Sequence, residues 1–293
     1  AEAVNGFDLV VDRGEMVSLV GESGSGKSVT AWSIVGLTKP PGKVIGGEVL
    51  WRGRNVREMS PGELRTWRGG GISLVLSNPR SHLHPLIAVG RQVDAVYRAH
   101  NDATRQAARE ATLAILKAVG LPDPLRVYRS HPHELSGGMA QRILIGMAMI
   151  NSPQLVIADD ATNGLDMTVQ RQVLDLMTAQ IRDRNAANLM ITHDLGIVAQ
   201  YCQRATVMYA GQAVETASTK ALFRRPLHPY TQAIIASAGP DGKVAKRTLP
   251  GVPRPRCPRS GKSIPHPPRC PDTTPPRLPE HRRKALARAL TRS

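Results

Sequence analysis

Eight consecutive residues, Gly21-Glu22-Ser23-Gly24-Ser25-Gly26-Lys27-Ser28, constrain this chain more than any other feature. They satisfy G-x-x-x-x-G-K-[ST], the pattern of a phosphate-binding loop, and their surroundings fit it. Met16-Val17-Ser18-Leu19-Val20, just before, is an apolar run of strand length. Residues 29–37, just after, read as a helix with Val29, Trp32, Ile34, Val35 and Leu37 available for burial. The order has a physical reason. Glycines without Cβ let the backbone wrap a phosphate with its N–H groups inward, and the helix N-terminus adds partial positive charge. Lys27 has the reach for β- and γ-phosphates, and the Ser28 hydroxyl can ligate Mg²⁺. Residues 21–28 and the adjoining Val29 are therefore the expected nucleotide contacts.

The remaining chain alternates strand-like and helix-like stretches, which predicts an α/β domain with a mainly parallel sheet and a smaller antiparallel β portion. Residues 1–20 suggest two strands around an Asp12-Arg13-Gly14-Glu15 turn, and residues 46–52 suggest another. Ser60 is placed to N-cap a helix with Glu63 at the capping-box position. Residues 72–76 read as a buried strand. From about 79 to 135 helices follow one another without a convincing strand, so this block reads as a helical insert. Its clearest helix covers residues 102–119, with Ala108, Ala111, Ile115 and Val119 on one stripe, Leu116 beside it and Gly120-Leu121-Pro122 as the stop. A helix from about 138 to 150, a strand at 155–158, a helix at 169–183 and a strand at 188–192 complete the pattern.

Charge divides the chain. Of the net +16, residues 240–293 carry +11, from 14 Lys/Arg against 3 Asp/Glu, and the other 239 residues only +5. The same segment holds 12 of the 23 prolines, so it reads as an irregular Pro/Arg-rich extension to a domain over residues 1–239. Such a tail suits nucleic acid or anionic lipid headgroups and, as the simpler reading that is preferred, a solvated, subunit-contacting segment. No run of eighteen apolar residues is present, and no basic and apolar leader pattern opens the chain. Three cysteines (Cys202, Cys257, Cys270) cannot build a disulfide framework, which suits a reducing compartment.

Four further stretches decide the class. In chain order they are Leu135-Ser136-Gly137-Gly138-Met139-Ala140-Gln141-Arg142, Leu155-Val156-Ile157-Ala158-Asp159-Asp160, Gly164-Leu165-Asp166, and Ile191-Thr192-His193-Asp194. With the phosphate loop they make the chain resemble the ATP-hydrolysing subunit of an ABC transporter. Within that superfamily it is similar to the D-type ATPase of oligopeptide, dipeptide and nickel importers. His131-Pro132-His133-Glu134, Leu227-His228-Pro229-Tyr230-Thr231 and Leu249-Pro250-Gly251-Val252-Pro253 carry the subfamily resemblance.

The resemblance implies roles. Asp159 would hold Mg²⁺ together with Ser28. Ser136, Gly137, Gly138 and Gln141 of the signature, with Asp166 of the D-loop, would contact ATP held on the opposite subunit. His193 would touch the γ-phosphate and help position the attacking water. The implied partners are a second ATPase, two transmembrane permease subunits and, indirectly, a substrate-binding protein, at the cytoplasmic face of the membrane. Nucleic acid is not an expected partner.

Three positions depart from the family pattern. Asp160 stands where a glutamate general base is usual, and its carboxylate falls back by roughly 1.5 Å. Ser77 stands where a glutamine is usual, two residues before Pro79, and Ala161 replaces a proline. Misplacement on that scale can cost on the order of 10²-fold in rate. The expectation is an own site that binds ATP and hydrolyses it poorly, with an intact signature completing the site of a non-identical partner. His266-Pro267-Pro268-Arg269-Cys270 matches a family element that can carry an iron–sulfur cluster. Ile264 and Arg277 occupy the neighbouring cysteine positions, so no intact cluster is expected. Two alternatives stay open at this stage: a soluble ABC ATPase acting on nucleic acid or ribosomes, and an ATP-sensing regulatory subunit without useful hydrolysis.

Overall fold

The computed structural model describes residues 2–6 and 8–238. The first elements are strand β1 (Met16–Val20) and helix α1 (Lys27–Ile34). A two-residue hairpin, β2 (Leu50–Trp51) and β3 (Arg54–Asn55), precedes α2 (Pro61–Gly70), which starts on a proline and breaks at Arg68 and Gly69. Strand β4 (Ile72–Leu76) leads through a 3₁₀ turn (Pro79–His82) into α3 (Val89–Arg98), α4 (Arg105–Ala118) and α5 (Pro124–Arg129). Helix α6 (Gly137–Met149), β5 (Leu155–Asp159), α7 (Met167–Asp183) and β6 (Ala187–Thr192) follow. The last described elements are α8 (Leu195–Tyr201), β7 (Arg204–Tyr209), β8 (Gln212–Ser218), α9 (Thr219–Arg224) and α10 (Pro229–Ala236). No helix among the described residues is long and apolar enough to cross a membrane.

The described chain forms two compact units, and the division falls within β6. One unit gathers residues up to 10, residues 17–60 and residues from 191 onward. Its strands run in the order β1-β7-β8: β1 and β7 are parallel, with Val17 opposite Arg204, and β7 turns back into antiparallel β8. Every residue of β1 is buried, the mark of a parallel strand covered on both faces. The other unit comprises residues 11–16 and 61–190. There β4 lies parallel to β5, with Leu76 opposite Asp159, and β6 lies beyond β5.

The helices of residues 79–135 sit in this second unit with no strand among them. Thr104 caps α4 by accepting the Ala107 N–H at 3.2 Å. Gly120, at φ +70°, ends it with a Schellman pair, Gly120 N–H to Lys117 O and Leu121 N–H to Leu116 O. The buried stripe contains Ala108, Ile115, Leu116 and Val119 as expected, but Thr112 is buried where Ala111 was expected. Chemistry explains it: Thr112 donates to Asp94 at 2.6 Å, and Tyr128 donates to the same carboxylate at 2.5 Å, joining α3, α4 and α5. Burial and this bond push the Tyr128 hydroxyl up to about 12.

Two strand expectations are corrected. Of the two strands expected around the turn at residues 12–15, the second is β1, but none of the described residues before Asp12 is strand, because no described segment pairs with them in a ladder. Of residues 46–52 only Leu50 and Trp51 are strand, in the hairpin with Arg54 and Asn55; Leu50 is 60% exposed, so the run lacks a buried face. The tail, including the expectations for Cys257, Cys270 and the Pro/Arg-rich extension, lies outside the described residues.

Candidate functional site

The phosphate loop leaves β1 at its C-terminal end and enters α1 through Gly26, whose φ of +104° is left-handed. A Cβ there would lie 2.5 Å from the Ala3 carbonyl oxygen, so glycine is required by conformation and by space. Among the described residues no side chain caps α1, and no acidic residue occupies its first turn. A helix N-terminus carries partial positive charge and so favours an anion. Lys27 is only 7% exposed, and its Nζ donates to Gly21 O and Glu22 O, both at 2.8 Å, and to Ser25 Oγ at 3.4 Å. A buried ammonium needs such oxygens, and phosphate oxygens are the same kind of acceptor. Ser23, Gly24, Ser28 and Val29 are exposed along the loop and the helix start.

The loop is also held from outside. Gly211, in the β7–β8 turn, donates its N–H to Ser25 O at 3.0 Å. Glu22 donates its N–H to Tyr230 Oη at 3.1 Å. In the same unit His193 follows β6 as an exposed residue, and the next residue, Asp194, caps α8 through the N–H groups of Gly196 and Ile197.

The second unit holds the other expected residues. Asp159 ends β5 and is buried; Asp160 follows at φ +45°. Aspartate tolerates that left-handed backbone better than most residues, and such strain gathers at functional positions. Asp166 accepts the N–H groups of Thr168 and Val169 and so caps α7. Ser136 accepts the Met139 N–H at 3.3 Å and caps α6, and Ser136 and Gly137 are exposed at that helix's start. Gly138 lies against Val169 of α7, where a Cβ would come within 2.6 Å of the valine methyl.

Gln141 is 1% exposed and turns inward, donating to Leu76 O at 3.4 Å, next to half-buried Ser77. Arg80 donates to Leu135 O at 2.7 Å, just ahead of the signature serine. Signature and post-β4 loop are thus tied twice within one unit. Arg80, Gly211 and Tyr230 had no individual role in the sequence expectations; only the local pattern around Tyr230 was visible, not its partner.

A family model described as ABC transporter matches residues 4–163. The chain belongs to the ABC transporter family. It is 46% identical over 254 residues to a probable peptide ABC transporter ATP-binding protein of Sinorhizobium fredii, covering 86% of this chain and 75% of that one. It is 40% identical over 256 residues to the oligopeptide transport ATP-binding protein OppD of Bacillus subtilis, covering 86% and 72%. Among solved structures it is similar to the dimeric ATP-binding cassette MJ0796 bound to ADP and Pi: TM-score 0.65, 26% identity, 74% of this chain and 90% of that one. This chain is an ABC-type ATPase, with the α/β fold of the family.

Proposed function

We propose that this chain is the ATP-hydrolysing subunit of a membrane importer of peptides, with a weakened ATP site of its own and a signature that serves a non-identical partner ATPase. The solute class follows the names of the relatives at 40–46% identity, which are peptide-transport proteins. The nucleotide reading is carried by one observation: the buried Lys27 amine surrounded by the loop's own oxygens, ready to exchange them for phosphate oxygens.

The roles implied by the family resemblance assign Mg²⁺ to the Ser28 hydroxyl and the Asp159 carboxylate, oxygen donors of the kind that suits an ion which keeps waters and takes phosphate oxygens. Bound there, Mg²⁺ would supply charge neutralisation on the phosphates. Lys27 and the amides of residues 21–28 orient the phosphates, with Val29 continuing the helix behind them. His193 holds the attacking water near the γ-phosphate, and Asp160 is the proton acceptor. Its side chain, one methylene shorter than a glutamate's, reaches roughly 1.5 Å less far, a misplacement that can cost on the order of 10²-fold in rate. Ser77 contributes at most a hydroxyl to the same site.

Ser136 and the Gly137 and Gly138 amides present a helix N-terminus to ATP held by the partner subunit, with Gln141 and Asp166 from the same stretch of the family pattern. Residues 1–239 form the ATPase domain, about 79–135 its helical subdomain and 240–293 an extension. Two permease subunits at the cytoplasmic face of the membrane, and a substrate-binding protein beyond them, complete the machine. Affinity purification of the full chain from detergent-solubilised membranes tests this. Two integral membrane subunits and a second ATPase are expected; nucleic acid or no companion at all would contradict it.

A further inference from the structure

The phosphate loop is gripped by a residue 208 positions away. Tyr230 is buried on α10 with its ring packed on Tyr209, centroids 4.5 Å apart and planes tilted by 45°. Its Oη accepts the Glu22 N–H at 3.1 Å. The carbonyl of that same peptide unit, Gly21 O, accepts Lys27 Nζ at 2.8 Å. A trans peptide is planar with its N–H and C=O pointing opposite ways, so Tyr230 and Lys27 stand on opposite edges of one plate. Bonds at both edges fix the plate's rotation, and the donor at the carbonyl polarises the N–H that Tyr230 receives.

Helix α10 is itself anchored. Buried Glu215 accepts the Leu227 and His228 N–H groups, both at 3.0 Å, and His228 Nδ1 accepts the Tyr230 N–H at 3.1 Å. Burial pushes the Tyr230 hydroxyl up to about 12, so it keeps its proton at neutral pH.

We propose that Tyr230 is a positioning residue for the nucleotide site, orienting the Gly21–Glu22 peptide and, through its carbonyl, the Lys27 amine. The proposal rests on residues 21–28 being an ATP site. Tyr230→Phe removes only the hydroxyl. Thr231→Val is the control: Thr231 is fully buried on the same helix, and its hydroxyl has no hydrogen-bond partner among the described residues.

Calorimetric titration of the purified full chain with ATP and Mg²⁺ should show Kd raised about fivefold in Tyr230→Phe, the worth of one ordinary hydrogen bond. Thr231→Val should stay within about twofold of the native chain. An unchanged Kd in Tyr230→Phe, or an equal rise in Thr231→Val, overturns the proposal. A native chain that binds no ATP overturns the reading of the loop itself and the proposal with it. Amide hydrogen exchange on the native chain gives a second readout, needed if Tyr230→Phe does not fold. Protection of the Glu22 N–H supports the proposal, and exchange at open-loop rates rejects it.

Discussion

The phosphate loop and the signature are both glycine-bearing entrances to helices, yet they are built in opposite ways. Helix α1 begins on a left-handed glycine with no side-chain cap, and its loop curls inward around a buried lysine. Helix α6 begins on Ser136, whose hydroxyl already caps it, and its first residues are exposed. On the proposed function, the first arrangement would enclose an anion of its own and the second would present a finished helix end to a partner's nucleotide. The same helix-terminus electrostatics would then give a container in one place and a lid in the other.

The sharpest way to break this comparison is a methyl in each entrance. Gly26→Ala must fit a left-handed φ and a Cβ 2.5 Å from Ala3 O. Strain of roughly 3 kcal/mol would weaken ATP binding about 100-fold, measurable by calorimetric titration. In the signature the cost should fall on packing instead. Gly138→Ala meets Val169 at 2.6 Å and should lose about 1–3 kcal/mol in denaturant unfolding. Gly137→Ala, whose nearest neighbour is Leu165 at 3.9 Å, should unfold within about 0.5 kcal/mol of the native chain. Equal losses for the two would remove the picture of an exposed first residue over a packed second one.

A smaller effect separates the regions by pH. His228 caps α10 as a neutral imidazole, and burial lowers its pKa, partly opposed by the nearby Glu215 charge. The folded state thus binds fewer protons than the unfolded state in the window below about 6.5. Its contribution to stability is whole above that value and is lost as pH falls toward the lowered folded pKa. Melting temperature should therefore drop between pH 7 and 5, and His228→Asn, which can still cap, should flatten that slope. The Ser136 cap has no such titration.

These contrasts also show what could be read from the residues in order. Both entrances were legible because each is contiguous: glycine spacing, lysine and capping serine sit within eight residues. The order of strands and helices was legible from apolar runs. The supports were not. Glu22 meets Tyr230, Leu135 meets Arg80, and Thr112 meets Asp94 across separations that only the folded chain closes. The residues before Asp12 and residues 46–52 misled for a related reason. An apolar stretch suggests a strand, but a strand exists only where a neighbour supplies the ladder.

One measurement bears most directly on the division of labour between the two entrances: ATP turnover by the assembled complex with Ser136→Arg or Asp160→Ala in this chain. Ser136→Arg should abolish nearly all turnover, because it blocks the lid over the partner's ATP. Asp160→Ala should leave most of it if, as proposed, this chain's own loop holds ATP more than it hydrolyses it. Abolition by Asp160→Ala as complete as by Ser136→Arg would contradict the account.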